Sequence, residues 1–510
     1  MQRIVRLLAG TCLSGTLLAA MPALAQQRAA HVLLISVDGL HAADLARYVA
    51  DPAHAGSALT ALSRRGMRYP NAYTTAPSDS FPGLLAQVTG GTPYSTGVFY
   101  DDSFDRTFFA AGSNCTGTRG VETNYAENID HDSSQLTGGG TLGLPLTQID
   151  PAKLPMTDHY GICQPVYPHD FVRVNTLFEV VRAHGGYTAW ADKHPAYDIL
   201  NGPSGHGVAD LFTPEVDSLI PGTTTLSTTK SFAAVRANDE VKVGAVLNEI
   251  AGRTSTGTRA APVPTVFGLD FQSVSVGQKL AISGPTDPAG LVGGYSDAAT
   301  PGNALAGQLD YVDGAIGRMV AALRARDLAR STLVIVSAKH GQSPIDRTTR
   351  VAVDDAPYAA TPGYAFHIAD DEALVWLDPA RSAASRGAAE SYLVDEASVL
   401  RIDALAGRAI LRLFYRDPAT DSRTPDFIAV SAHGVIYTGG TKLAEHGGFS
   451  RDDRNVALLV SGPGVGAGVS DAVVQTTQIA PTILAALGLE PDELDAVRRE
   501  RTATLPGLGR

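Results

Sequence analysis

Cysteine is scarce in this 510-residue chain, with three in all: Cys12, Cys115 and Cys163. Cys12 falls in a leader-like N-terminus, so the other two allow at most one disulfide. A bridge between them and two free buried thiols are both open, because spacing alone does not say whether their Cβ atoms meet. Long apolar runs are also missing. After residue 25 none approaches the length of a bilayer span, so no membrane-spanning helix is expected there. Positive charge is in deficit, with 40 Lys and Arg against 52 Asp and Glu and a formal net charge of −12. That argues against bulk binding to a nucleic-acid duplex or an anionic membrane, while leaving room for a local anion site. No internal repeat or low-complexity block is present.

What is there begins with an export signature. Arg3 and Arg6 precede a largely apolar core over 7–20, and Ala23-Leu24-Ala25 supplies the small-x-small pattern of a cleavage site. Cleavage is expected after Ala25, with a periplasmic or secreted mature protein and an oxidising environment for Cys115 and Cys163. Residues 26–510 then read as one catalytic-domain-sized unit.

Its rhythm is that of an α/β protein. The runs 31–37, 188–191, 264–271, 331–338 and 455–461 are apolar and rich in β-branched residues, as buried strands are. Helical patterns fall over 56–65, 174–184, 239–251, 303–326 and 477–487, with Asn303 as an expected N-cap. This alternation predicts a doubly wound, mostly parallel sheet. Two stretches break it. Residues 100–175, rich in Gly, Thr, Asn and Asp, read as a loop-rich insertion over the active face, and 345–440 read as a small α+β lobe.

Polar residues collect where strands or helices end. Asp38 follows the first strand, Lys339 and His340 follow the 331–338 strand, and His446 precedes two glycines. Ser80, between Pro77 and Pro82, falls at or just before a helix N-terminus, where unpaired N–H groups favour an anion. Taken singly, each reads as readily as a cap or a turn residue. A doubly wound sheet, however, gathers the carboxyl ends of its strands on one face. One Asp, two His and a hydroxyl are oxygen and nitrogen ligands suited to zinc or manganese, and a metal touching Ser80 would make it a nucleophile. Asp192, Lys193, His194 and Tyr197 sit at a further strand end.

Asp38-Gly39, Ser80-Phe81-Pro82, Thr89-Gly90-Gly91-Thr92-Pro93, His340-Gly341 and His446-Gly447 occur in an order that resembles the alkaline phosphatase superfamily, and within it the type I phosphodiesterase/nucleotide pyrophosphatase family. The resemblance implies Ser80 as nucleophile, Asp38 and His340 on the metal beside it, and His446 on a second metal. Three departures stand out. Lys339 occupies the position of a ligand aspartate, and Gly83 that of an oxyanion-binding asparagine. The family's Asp-x-x-x-His pair is missing after 264–271, where Asp270, Gln272 and Gln278 stand without a histidine. One zinc or manganese ion or fewer is therefore expected, with Lys339 acting as a fixed cation and Gln272, Gln278 and Lys193 as substrate contacts. The implied function is hydrolysis of a small anionic ester, most simply a phosphodiester or pyrophosphate, through a Ser80 intermediate. A phosphomonoester, sulfate or phosphonate hydrolase and a non-catalytic anion- or partner-binding relative are the alternatives.

Overall fold

The computed structural model describes residues 28–125, 128–297 and 300–508, so the leader expected over 1–25 lies outside the described residues. The core is an eight-stranded sheet in the order Gly468–Val469, Met67–Arg68, Leu458–Ser461, Thr332–Ser337, His31–Val37, Val266–Phe271, Ala189–Ala191 and Asp210–Phe212. From Thr332–Ser337 to Asp210–Phe212 every pairing is parallel. Leu458–Ser461 alone runs against both its neighbours. The protein is thus a mixed α/β fold built on a mostly parallel sheet.

The central strands are apolar on both faces because both faces are covered. Val32 and Leu34 pack with Leu333 and Ile335 against the helices Ser80–Thr89, Leu177–Ala183 and Ile479–Leu487. The alternate residues Leu33, Ile35 and Val37 pack with Val334 and Val336 against Phe232–Ile250 and Asn303–Ala325. Each such fully buried side chain contributes roughly 1.5–3 kcal/mol.

Two helix starts differ from expectation, and tertiary contacts explain both. The helix expected from 239 begins at Phe232. Ser231 caps it, and Asp287 from a distant loop accepts the Phe232 and Ala233 amides at 2.9 and 2.8 Å. Asn303 is the first helical residue rather than the cap, a role taken by Gly302. The Asn303 Oδ1 instead accepts from the Val292 amide at 2.7 Å.

Within 100–175 the strands pair as two hairpins, Asp102–Asp105/Val121–Asn124 and Met156–His159/Ile162–Pro165. Cys115 and Cys163 form a disulfide there, spanning 48 residues. Between 345 and 440, the strands Tyr364–Ala369, Ala373–Leu377, Phe427–Ser431 and Ile402–Ala406 form an antiparallel sheet beside the helix Ala383–Asp395. The turn at Asp370–Glu372 carries this lobe to the His446 loop. The Asp371 amide donates to the His446 carbonyl at 3.3 Å, and the Phe449 amide to Glu372 at 3.1 Å. Tyr100 donates to Asp370 at 2.8 Å and to the His446 carbonyl at 3.2 Å.

Burial pushes the Glu372 carboxyl up to about 8 from an ordinary 4.5. A raised folded value means the native protein keeps a proton that the unfolded chain gives up, so this contribution to stability is complete below pH 4.5 and lost as pH rises through 8. Melting temperatures taken from pH 5 to 8 should fall for the wild type by the equivalent of up to about 1.4 kcal/mol per pH unit from this group. In Glu372→Gln that part of the slope should vanish. An identical slope in both proteins would show that Glu372 is ionised in the fold.

Candidate active site

Asp79 and Ser80 divide their labour at one helix start. Asp79, not Ser80, is the N-cap of Ser80–Thr89, and its carboxylate accepts from the Phe81 amide at 3.2 Å. The Ser80 hydroxyl is thereby left unused by its own helix and turns to the strand ends. The approach is close. A Cβ on Gly83 would lie 2.1 Å from the Lys339 carbonyl oxygen, so only glycine lets this helix reach the segment carrying Lys339 and His340.

Around Ser80 the structure gathers residues from three strand ends. Lys193 Nζ donates to Ser80 Oγ at 3.2 Å and to Asp38 Oδ2 at 3.2 Å. His340 Nε2 lies 3.4 Å from Ser80 Oγ and 3.6 Å from Asp38 Oδ1. Its other nitrogen, Nδ1, is 2.9 Å from the Gly341 carbonyl. A carbonyl can only accept, so Nδ1 carries the hydrogen and the Nε2 of a neutral ring offers its lone pair to Ser80. The His446 ring lies 4.2 Å from that of His340, with its Nδ1 3.3 Å from Asp79 Oδ1. Burial, aided by Lys279 and His340, holds His446 well below an ordinary histidine and hence neutral.

Lys339 lies one layer behind. It is fully buried, with Nζ 3.0 Å from Asp270, 3.4 Å from Asp38 and 3.7 Å from Asp192. It also donates to Tyr197 at 2.7 Å and sits over that ring. Burial would lower its pKa, but Asp192, Asp270 and Asp38 outweigh this and hold the ammonium well above its usual range. Burial raises Asp38 in the same way, and Lys339, Lys193 and His340 reverse it, so Asp38 stays ionised. For Asp270, burial and the Asp38 charge push the carboxyl above its ordinary range, with the Lys339 ammonium opposing them from 3.0 Å. The cation expected to face the ester is therefore turned to the carboxylates, and Lys193 is the one that touches Ser80.

These contacts decide how the expected ligand set would receive a metal. Asp38 and His340 are adjacent, but two ammonium groups already stand 3.2 and 3.4 Å from the Asp38 Oδ2. A dication some 4 Å from each would be repelled by roughly 8 kcal/mol per ammonium at an effective dielectric near 20. The residues around Ser80 do not fit a divalent ion. Among the described residues a different group, His194, Glu215 and Asp217, has ligand atoms close enough to hold one.

A cavity of about 470 Å³ opens over the site, lined among others by Lys193, His194, Asp217, Gln272, Lys279 and His446. Ser80 is 1% exposed and does not line the cavity itself, but it accepts from the lining residue Lys193. Gln272 lines the cavity. Gln278 does not: it is fully buried, and its amide nitrogen donates to the Gly39 carbonyl at 2.8 Å and to Tyr295 at 2.9 Å. Sequence reasoning passed over Asp79, although an acid directly before a helix is a capping signal. It also passed over Glu215 and Asp217, which carry no local signal.

The described residues contain no helix long and apolar enough to cross a membrane. No curated protein matches the chain. The family model for type I phosphodiesterase/nucleotide pyrophosphatase matches residues 32–146 and 158–453. Among solved structures the fold is similar to murine ectonucleotide pyrophosphatase/phosphodiesterase 5, at 14% identity over 90% of this chain and 96% of that one, with a TM-score of 0.56. It is also similar to the alkaline phosphatase PafA, at 13% identity over 91% and 96% with a TM-score of 0.61. The human phosphodiesterase 5 is 15% identical over 94% and 97%, with a TM-score of 0.53. The murine protein has also been solved, as an inactive variant, in complex with AMP. With that match running through both the Ser80 and the His340 segments, the chain belongs to the type I phosphodiesterase/nucleotide pyrophosphatase family of phosphate-ester hydrolases.

Proposed function

We propose that the protein is an exported hydrolase that cleaves a small anionic phosphodiester or pyrophosphate through a covalent Ser80 intermediate, with ammonium groups where a metal would otherwise stand. The observation that carries this reading is the position of Ser80 Oγ, within 3.4 Å of the His340 Nε2 and 3.2 Å of Lys193 Nζ. The AMP complex of the murine relative supports a nucleotide-like substrate. The disulfide and the leader-like N-terminus support export.

In the first step the Ser80 proton passes to His340 Nε2 as Oγ bonds to phosphorus, and the bond from phosphorus to the leaving oxygen breaks. That oxygen departs with the proton that His340 has just received, which returns the ring to its neutral form. The incoming phosphoryl group draws the Lys193 ammonium off Ser80 and onto its own oxygens, where charge accumulates. In the second step a water gives its proton to His340 and attacks phosphorus. The phosphorus–Oγ bond then breaks, and Ser80 regains a proton. Lys339 touches no reacting atom in this scheme. It is a positioning residue that neutralises the carboxyl cluster and holds Asp38 against Lys193 and His340.

A second reading has a specific observation behind it. The ammonium pair around Asp38 is also what a pocket that only binds an anion would hold, without turnover. Hydrolysis of bis-p-nitrophenyl phosphate, p-nitrophenyl phosphate and p-nitrophenyl sulfate separates the possibilities. The diester should be turned over fastest, with no activity left in Ser80→Ala and a drop of about 10²–10⁴-fold in His340→Gln. Preference for the monoester or the sulfate would reassign the substrate. Intact esters throughout, with Ser80→Ala behaving as wild type, would leave the binding reading standing. Independently of turnover, Lys339→Met should cost about 3–5 kcal/mol in denaturant unfolding, because it strands buried carboxylates without their cation. A loss under 1 kcal/mol would mean that Lys339 does not hold the cluster together.

A further inference from the structure

On the wall of the same cavity, one residue along from Lys193, lies a group that the Ser80 chemistry does not use. His194 Nδ1 is 2.8 and 2.9 Å from the two oxygens of Glu215. Asp217 completes a trio whose ligand atoms all lie within 4.8 Å of one another. Cis ligands on a metal about 2.1 Å away stand roughly 3 Å apart, so the His194–Glu215 spacing already suits a shared ion. His194 and Glu215 are buried at 3% and 1% exposure, while Asp217 is half-buried and lines the cavity with His194.

The backbone holds the trio firmly. The Val216 amide donates to the Lys193 carbonyl at 2.9 Å, the Asp217 amide to Glu215 at 2.9 Å, and Asn238 to the Glu215 carbonyl at 3.2 Å. Thr229 donates to Asp217 Oδ1 at 3.0 Å. Asp130, 1% exposed, packs against the Glu215 carboxylate and shares a hydrogen bond with it. Three carboxyl groups thus surround one imidazole in a largely dehydrated corner, where a dication would take the place of the proton between His194 and Glu215.

We propose that His194, Glu215 and Asp217 bind a single transition-metal dication of the zinc–manganese class, with its remaining coordination positions open to the cavity. One imidazole nitrogen and two carboxylates suit these ions better than the all-oxygen shells of calcium or magnesium. The ion belongs to the cavity wall rather than to Asp38 and Ser80, where Lys193 and Lys339 already supply the positive charge.

Metal binding alone tests this, without substrate. Metal-free wild-type protein, dialysed against Zn2+ or Mn2+, should take up one equivalent and melt at a higher temperature. Asp217→Asn, a conservative change at a half-buried position, should bind at least tenfold more weakly while keeping the wild-type metal-free melting temperature. In Mn2+-loaded protein, pulsed electron paramagnetic resonance should show coupling to an imidazole nitrogen, and His194→Ala should lose it. The inference is overturned if no equivalent is held. It is equally overturned if His446→Ala abolishes binding while Asp217→Asn leaves it unchanged, which would return the ion to the Ser80 side. Ester turnover enters none of these readouts, so a failure of the Ser80 mechanism would show separately.

Discussion

The ammonium of Lys339, fully buried among Asp38, Asp192 and Asp270, is the constraint on which the rest of the site depends. Those carboxyls come from three parallel strands, His31–Val37, Ala189–Ala191 and Val266–Phe271, and Lys339 follows a fourth, Thr332–Ser337. A buried ion pair adds little net stability over a well-packed apolar core, but removing one partner is expensive. Its effect here is geometric. It pins four strand ends at one point and leaves Asp38 charged, with one face free for Lys193 and His340.

The same segment positions Ser80. Because the Lys339 carbonyl packs against Gly83, the Ser80 helix lies flush on the strand end, and Thr74 donates to that carbonyl from the chain just before it. Asp79 caps the helix and faces His446, and His446 is tied through its carbonyl to the Asp370–Glu372 turn of the small lobe. Sheet, helix and lobe therefore meet at His340 and His446. In the proposed mechanism the proton on Ser80 has an imidazole nitrogen to go to, and the charge that develops on phosphorus oxygens has a lysine.

Much of this was legible in the sequence. The apolar, β-branched runs predicted the buried strands because strands covered on both faces are mostly apolar. Ser80 between two prolines predicted a helix start, and Asp38, His340 and His446 at element ends predicted their convergence. What escaped was set by partners far along the chain. Asp287 caps a helix that begins 55 residues earlier at Phe232, and Gln278 turns from the cavity to Gly39 and Tyr295. Lys193 reaches Ser80 across 113 positions.

By itself, the sequence determined which strands are buried and where the serine and the two histidines fall relative to element ends. Those are properties of short segments, decided by local periodicity and by the chemistry of single side chains. Only the tertiary structure decided which cation meets the serine. Lys193 and Lys339 are equivalent as residues. One lies at the cavity wall and the other behind it among carboxylates, because the order in which strands pair in a sheet is set by packing between distant segments and not by the residues on either side of a lysine.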